Sequence, residues 1–151
     1  MKFVSTSEIC KKAYDEHYAV PAFCAWNAEM VDVILGTAEK LQSPVIILSA
    51  WLDFELIKPA TFQKVASAVA EKYTIPAAVH LDHGRSLEEA QECIDAHYTG
   101  VMVDWSSHPY EENMHILKKT VERAKPHKIA VEGEIGHRSE EHTSELQSPN
   151  T

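Results

Sequence analysis

The sequence has few cysteines, few glycines and no long apolar run. Its apolar stretches are no longer than single strands, so none is predicted to span a membrane. The three cysteines are widely spaced and include no Cys-x-x-Cys pair, which indicates reduced thiols in a cytoplasmic protein rather than a disulfide frame or a zinc knuckle. The N-terminal residues show no apolar region ahead of a small-residue cleavage site, so no secretory signal is predicted.

Basic residues are also scarce. The chain has 14 lysines and arginines against 23 aspartates and glutamates, a formal net charge of −9. This balance argues against nucleic acid and against an anionic membrane as partners. It leaves room for a phosphorylated small substrate, because a local loop can bind phosphate inside an acidic protein.

Short apolar runs alternate with segments whose apolar residues recur every three or four positions. The runs predict strands over residues 19–23, 45–48, 76–81, 101–103 and 129–131. Helices are predicted between them and over a short leading segment, residues 7–17. Asn27 is expected to cap the first helix after the leading one, and Pro59 to open the next. Ser86 and Glu89 have the spacing of a capping box ahead of the helix that follows.

Strands that are apolar throughout are typical of a parallel α/β sheet covered by helices, either an open doubly wound sheet or a (β/α)8 TIM barrel. Polar side chains end successive strands: Ser49, His80, Asp82, His83, Asp104, Glu132 and Glu134. A barrel builds its site from several strand ends, whereas an open sheet often has a glycine-rich first loop, and residues 24–27 contain no glycine. The pattern favours a barrel. Because a barrel has eight strands in about 250 residues, we expect the N-terminal five βα-type units of a truncated one.

The stretch His80-Leu-Asp-His-Gly84 places two imidazoles and a carboxylate at the end of the third strand. Neutral imidazole is a common zinc ligand, and a neighbouring carboxylate can move a proton, so the pair suits carbonyl chemistry. The alternative is a strand end whose polar residues merely face solvent. His80 lies on the same strand face as Asp82, where it either orients a neighbour or packs as a core histidine.

Several segments together resemble the zinc-dependent class II fructose/tagatose-bisphosphate aldolases. The segments are Ala19-Val-Pro-Ala-Phe23, Ser43-Pro-Val-Ile-Ile47, Ala78-Val-His-Leu-Asp-His-Gly84, Gly100-Val-Met-Val-Asp104 and Val131-Glu-Gly-Glu-Ile-Gly136. The resemblance implies a (β/α)8 barrel that reversibly cleaves a phosphorylated ketose to dihydroxyacetone phosphate and an aldehyde. It also implies one catalytic zinc ion, room for a second divalent ion, and a homo-oligomer in the full-length protein.

The resemblance also implies roles for individual residues. His83 would be one of three histidine ligands of the zinc ion, and Asp82 would exchange the proton with the aldehyde oxygen. Asp104 and Glu134 match the positions of an alternative or second metal site. The other two histidines and the phosphate loops of the family belong to later strands, so the 151-residue chain alone is expected to be inactive.

Asn27 and Ser49 match positions expected near the substrate. Two departures leave the identity of the ketose open: Cys24 stands where the family often has asparagine, and the loop after the second strand contains Trp51, which would narrow the pocket. Two alternatives therefore stand beside an aldolase. One is a barrel relative that binds metal or sugar phosphate without catalysis, and the other is a non-enzymatic half-barrel interaction module.

The last residues differ in character from the rest. Residues 1–137 are expected to form the N-terminal part of the barrel domain, and residues 138–151 a non-native, disordered polar tail. The segment 138–148 resembles the translation of a DNA-sequencing adapter.

Overall fold

The computed structural model describes residues 3–136, so the predicted tail over residues 138–151 lies outside it. The strands are β1 (Ala22–Cys24), β2 (Val45–Ala50), β3 (Ala77–Gly84), β4 (Gly100–Val103) and β5 (Ala130–Glu132). The α-helices are α1 (Thr6–Asp15), α2 (Ala28–Leu41), α3 (Pro59–Ala70), α4 (Leu87–Asp95) and α5 (Tyr110–Ala124). Short 3-10 helices cover Trp51–Glu55 and Lys125–His127. Within the described range, no helix is long and apolar enough to cross a membrane.

The five strands form one parallel sheet in the order β1-β2-β3-β4-β5. Each strand therefore pairs with the next strand along the chain. A doubly wound sheet instead reverses its strand order at a switch point. The sequential order confirms the predicted barrel-type arrangement and separates it from the open-sheet alternative.

The two faces of the sheet pack differently. One face lies against α2 to α5, and its central side chains, Ile47, Val79, Leu81, Val101 and Val103, are fully buried. Burial of each such side chain contributes about 1.5–3 kcal/mol of transfer free energy. On the other face, here called the inner face, Ile9 of α1 packs on Ile46 and Ala78. The same face carries Leu48, His80 and Gly100 side by side in register.

The predicted helix starts are largely confirmed. The Oδ1 atom of Asn27 accepts a hydrogen bond from the Met30 backbone N–H at 2.8 Å, and Pro59 is the first residue of α3. Ser86 Oγ accepts from the Glu89 N–H at 3.1 Å. The returning half of the predicted capping box is wrong, because the Glu89 carboxylate accepts from the N–H of Arg85 instead of that of Ser86.

The strands are not buried uniformly. Sequence analysis predicted strands buried on both faces, and β2, β3 and β4 follow this pattern. In contrast, β1 is exposed and β5 is partly exposed, because within residues 3–136 each pairs with a single neighbour. Phe23 of β1 consequently exposes half of its surface.

Candidate functional site

The histidine motif lies in the last residues of β3. Asp82 pairs in register with Ala50 on the inner face, and its side chain is partly exposed. Strict alternation would turn His83 towards the helices. However, the β3–β4 register shifts between Leu81 and Gly84, and His83 has a φ of 47°, in the left-handed region. Such an irregularity re-aims a side chain, and the His83 imidazole is left half exposed at the edge of the sheet.

The imidazole of His83 contacts the end of the next strand. Its Nδ1 atom lies 2.8 Å from Oδ2 of Asp104, which follows β4 directly. The other carboxylate oxygen of Asp104 accepts a hydrogen bond from the Ser106 backbone N–H at 3.0 Å. Asp104 is therefore held from two sides, and it orients the His83 ring as carboxylates commonly orient metal-ligating histidines.

Glu134 lies two residues beyond the end of β5 and adds a second carboxylate beside His83 and Asp104. Donor atoms of His83, Asp104 and Glu134 all lie within 4.8 Å of one another. One imidazole nitrogen and two carboxylate oxygens form a donor set that divalent cations such as Zn²⁺ and Mn²⁺ accept. The structure thus brings together the three residues that sequence analysis assigned to metal binding.

Charge in this cluster stabilises a protonated imidazole. Burial lowers the pKa of His83, but its hydrogen bond to Asp104 and the charges of Asp82, Asp104 and Glu134 outweigh burial, so the pKa is raised. Burial raises the pKa of Asp104, yet hydrogen bonds from Ser106 and His83 lower it below its ordinary value. The acids therefore give the site the negative potential that attracts a cation.

A second histidine lies beneath this cluster. His80 is 3% exposed, with its Nε2 atom 3.3 Å from Oε2 of Glu132 and its Nδ1 atom 3.4 Å from Oγ1 of Thr6. The contact with His80 lowers the pKa of Glu132 more than burial raises it. Sequence analysis left the role of His80 open and did not connect it with Glu132. The signal that could have connected them is spacing. His80 lies two residues before Asp82, and Glu132 lies two residues before Glu134, so all four residues are expected on the inner face.

The structure does not bring the two predicted substrate residues into this cluster. Ser49 pairs in register with Leu81 on the helix-facing side and is 1% exposed. Asn27 is exposed at the start of α2, where its Oδ1 atom is engaged in the helix cap. Cys24 pairs in register with Leu48 on the inner face. Burial raises the pKa of its thiol, and the charges of Asp82 and Asp53 raise it further.

Aromatic and basic side chains border the site. The Arg85 guanidinium lies 3.5 Å from the centre of the Trp51 ring and also pairs with the Glu89 carboxylate at 2.7 Å. The indole N–H of Trp105 donates to the backbone oxygen of Arg85 at 3.0 Å. These contacts join the loops that follow β2, β3 and β4. Sequence analysis singled out Trp51 but not Arg85 or Trp105, because residues in separate loops carry no periodic signal.

A family model described as "Fructose-bisphosphate aldolase class-II" matches residues 4–149. The chain belongs to this family. It is 40% identical over 139 residues to a probable fructose-bisphosphate aldolase of Bacillus subtilis, covering 90% of this chain and 49% of that protein. It is 38% identical over 141 residues to a 6-phospho-5-dehydro-2-deoxy-D-gluconate aldolase of Halalkalibacterium halodurans, covering 90% and 48%.

The fold comparison agrees with the family. The crystal structure of the YdjI aldolase of Escherichia coli K12 superposes with a TM-score of 0.83 at 32% identity, over 89% of this chain and 51% of that one. The chain spans about half the length of the curated relatives it matches. Its five strands correspond to the N-terminal half of an aldolase barrel, as predicted.

Proposed function

We propose that the protein catalyses the metal-assisted, reversible aldol cleavage of a phosphorylated ketose to dihydroxyacetone phosphate and an aldehyde. The observation that carries the proposal is the placement of Asp82 beside a cluster of one imidazole and two carboxylates at the carboxyl edge of a parallel sheet. Barrel enzymes place their active sites at this edge. The family supports an aldol reaction over other uses of the same cluster.

His83, Asp104 and Glu134 would hold a divalent ion, with zinc as the proposed species. A zinc ion bound there supplies a Lewis acid that stabilises negative charge developing on the substrate oxygens. The Asp104 carboxylate orients the His83 ring through the 2.8 Å contact to Nδ1, as carboxylates commonly do for metal-ligating histidines. The negative charge of Asp82 beside these ligands also favours a bound cation.

Asp82 is the proposed proton carrier. Its Oδ1 atom lies 4.0 Å from Nε2 of His83, so it is next to the proposed metal ligand without sharing its hydrogen bond to Asp104. In the cleavage direction Asp82 takes the proton from the hydroxyl on the carbon that becomes the aldehyde. The carbon–carbon bond then breaks and leaves its electron pair on the ketone half. In the reverse direction Asp82 returns the proton to the aldehyde oxygen.

The substrate is proposed only as a class, a phosphorylated ketose. The two relatives are named for different sugars, one for fructose bisphosphate and one for a phosphorylated deoxy-gluconate. The contact between Arg85 and Trp51 joins the loops that follow β3 and β2, and it is the feature that we propose to select among ketoses. The observation that favours a non-catalytic sugar-phosphate binder as second candidate is the sequence at two positions, where Cys24 and the loop containing Ala50 and Trp51 depart from the pattern of the family.

Two variants of the protein expressed from its whole gene test the proposal. Asp82→Ala should retain zinc binding in a titration and lose turnover of the ketose bisphosphate by at least about 100-fold, the usual worth of acid–base catalysis. His83→Ala should lose zinc binding. Loss of zinc binding in Asp82→Ala would mean that the roles are assigned wrongly, and full turnover in that variant would mean that another group carries the proton. Absence of turnover in the unaltered protein would favour the second candidate.

A further inference from the structure

His80 and Glu132 contact each other across a strand that separates them. His80 belongs to β3 and Glu132 to β5, and β4 lies between these strands, so β3 and β5 share no backbone hydrogen bonds. The imidazole bridges this gap because Gly100 is the residue opposite His80 in β4. A Cβ atom at residue 100 would collide with Nδ1 of His80 and with Oγ1 of Thr6.

The pair lies one layer below the proposed metal site. Successive residues of a strand alternate between faces, so Asp82 follows His80 on the inner face. Glu134 follows Glu132 by the same two residues, which is about 6.6 Å of extended chain. A contact between His80 and Glu132 therefore fixes the separation of the two chain segments that lead directly into the site.

We infer that His80 and Glu132 form a positioning pair that holds the end of β5 against β3, so that Glu134 stays within reach of His83. The inference rests on the proposed function, because it assigns the pair to the proposed metal site. The burial of His80 supports this inference. The residue is 3% exposed, and within the described residues its Nε2 atom has no well-aligned hydrogen-bond partner. Its close neighbour is the Glu132 carboxylate at 3.3 Å.

A buried polar nitrogen without an aligned partner is costly, so packing alone would favour an apolar residue here. The same inner-face row carries Leu48 directly beside His80, which shows that an aliphatic side chain fits this layer. The imidazole is therefore better explained by its reach towards Glu132 than by filling volume. Thr6 of α1 supports the ring from its other nitrogen at 3.4 Å.

Titration of the protein expressed from its whole gene with Co²⁺, followed by the visible absorption of the bound ion, tests the pair. Glu132→Ala and His80→Leu should each weaken Co²⁺ binding by about tenfold, the usual effect of losing a residue that orients metal ligands. Glu132→Gln and His80→Gln keep polar reach and should recover part of the affinity. The double variant His80→Leu/Glu132→Ala should bind no more weakly than either single variant, because the two residues act as a unit.

Val79→Ala is the matched control. Val79 is the neighbour of His80 in β3, fully buried on the helix-facing side, so its truncation lowers the free energy of unfolding without touching the pair. It should leave Co²⁺ affinity unchanged. Unaltered affinity in folded Glu132→Ala and Glu132→Gln would overturn the pair while leaving the metal site in place. If the unaltered protein binds no Co²⁺, or if His83→Ala binds Co²⁺ equally well, both the positioning pair and the proposed metal site are overturned.

Discussion

His80 and Gly100 face each other in register across β3 and β4, and the imidazole fills the space that a side chain at residue 100 would need. A glycine in the middle of a sheet is ordinarily unfavourable. Here it allows a buried ring to cross the strand and reach Glu132. The identity of residue 100 is thus explained by a contact between two other strands.

Substitution of Gly100 by alanine should destabilise the protein by about 1–3 kcal/mol, the usual cost of overpacking. The added methyl group collides with His80 and Thr6, neither of which has free space in the buried layer. Urea unfolding followed by circular dichroism measures the loss. The double variant Gly100→Ala/His80→Ala should lose less than the sum of the two single variants. Strict additivity would show that the ring is not what residue 100 accommodates.

Stability should fall in acid partly through Glu39. Its carboxylate, near the end of α2, accepts hydrogen bonds from the Thr74 hydroxyl at 2.7 Å, the Thr74 N–H at 2.9 Å and the Ile75 N–H at 2.8 Å. These bonds lower the pKa of Glu39 in the folded protein. A lowered folded pKa means that the contribution is present above the unfolded pKa of about 4.3 and is lost as pH falls through the folded pKa.

Glu39→Gln should therefore be less stable than the unaltered chain at about pH 6, and the difference should shrink as pH is lowered towards about pH 3. Urea midpoints at several pH values measure it. Glu71→Gln, at the exposed end of α3, is the control for the loss of one surface charge. A difference for Glu39→Gln that stays constant with pH, or one that the control reproduces, would contradict the role given to these hydrogen bonds.

Removal of the Asp104 carboxylate should weaken divalent-metal binding by at least about tenfold, since the change takes away both a donor and the group that orients His83. Isothermal titration of Asp104→Ala with Zn²⁺ or Mn²⁺ measures the effect. Asp95→Ala removes an exposed acid at the end of α4 and should bind metal as the unaltered chain does. Equal affinities in the two variants would exclude Asp104 from the site.

The 151-residue chain by itself should not cleave fructose or tagatose bisphosphate with added zinc. The candidate metal-ligand cluster found among residues 3–136 contains one nitrogen donor, whereas catalytic zinc sites commonly have two or three. A coupled assay for dihydroxyacetone phosphate, with a full-length aldolase as positive control, measures the activity. Zinc-dependent cleavage that a chelator abolishes would refute this expectation.

The strand–helix alternation and most helix starts could be predicted from local sequence. Apolar periodicity is visible within a few residues, and Asn27 and Pro59 each start a helix through contacts with their own neighbours. Element ends were less predictable. The strand predicted over 76–81 continues to Gly84, since pairing with β2 and β4 extends the strand through its polar residues. The polar ending of each strand likewise placed Asp104 and Glu134 among the candidate residues, and the family resemblance proposed them as metal ligands before their neighbours were known.

The sequence by itself determined the order of strands and helices and the kinds of chemical groups at the strand ends, because both depend on short-range patterns. The tertiary structure alone decided which of these groups meet. Ser49 turned to the helix-facing side, His83 turned to Asp104 at a bulge, and His80 reached Glu132 over Gly100. Register, bulges and contacts across a neighbouring strand are set by residues far apart in the chain, and no local pattern records them.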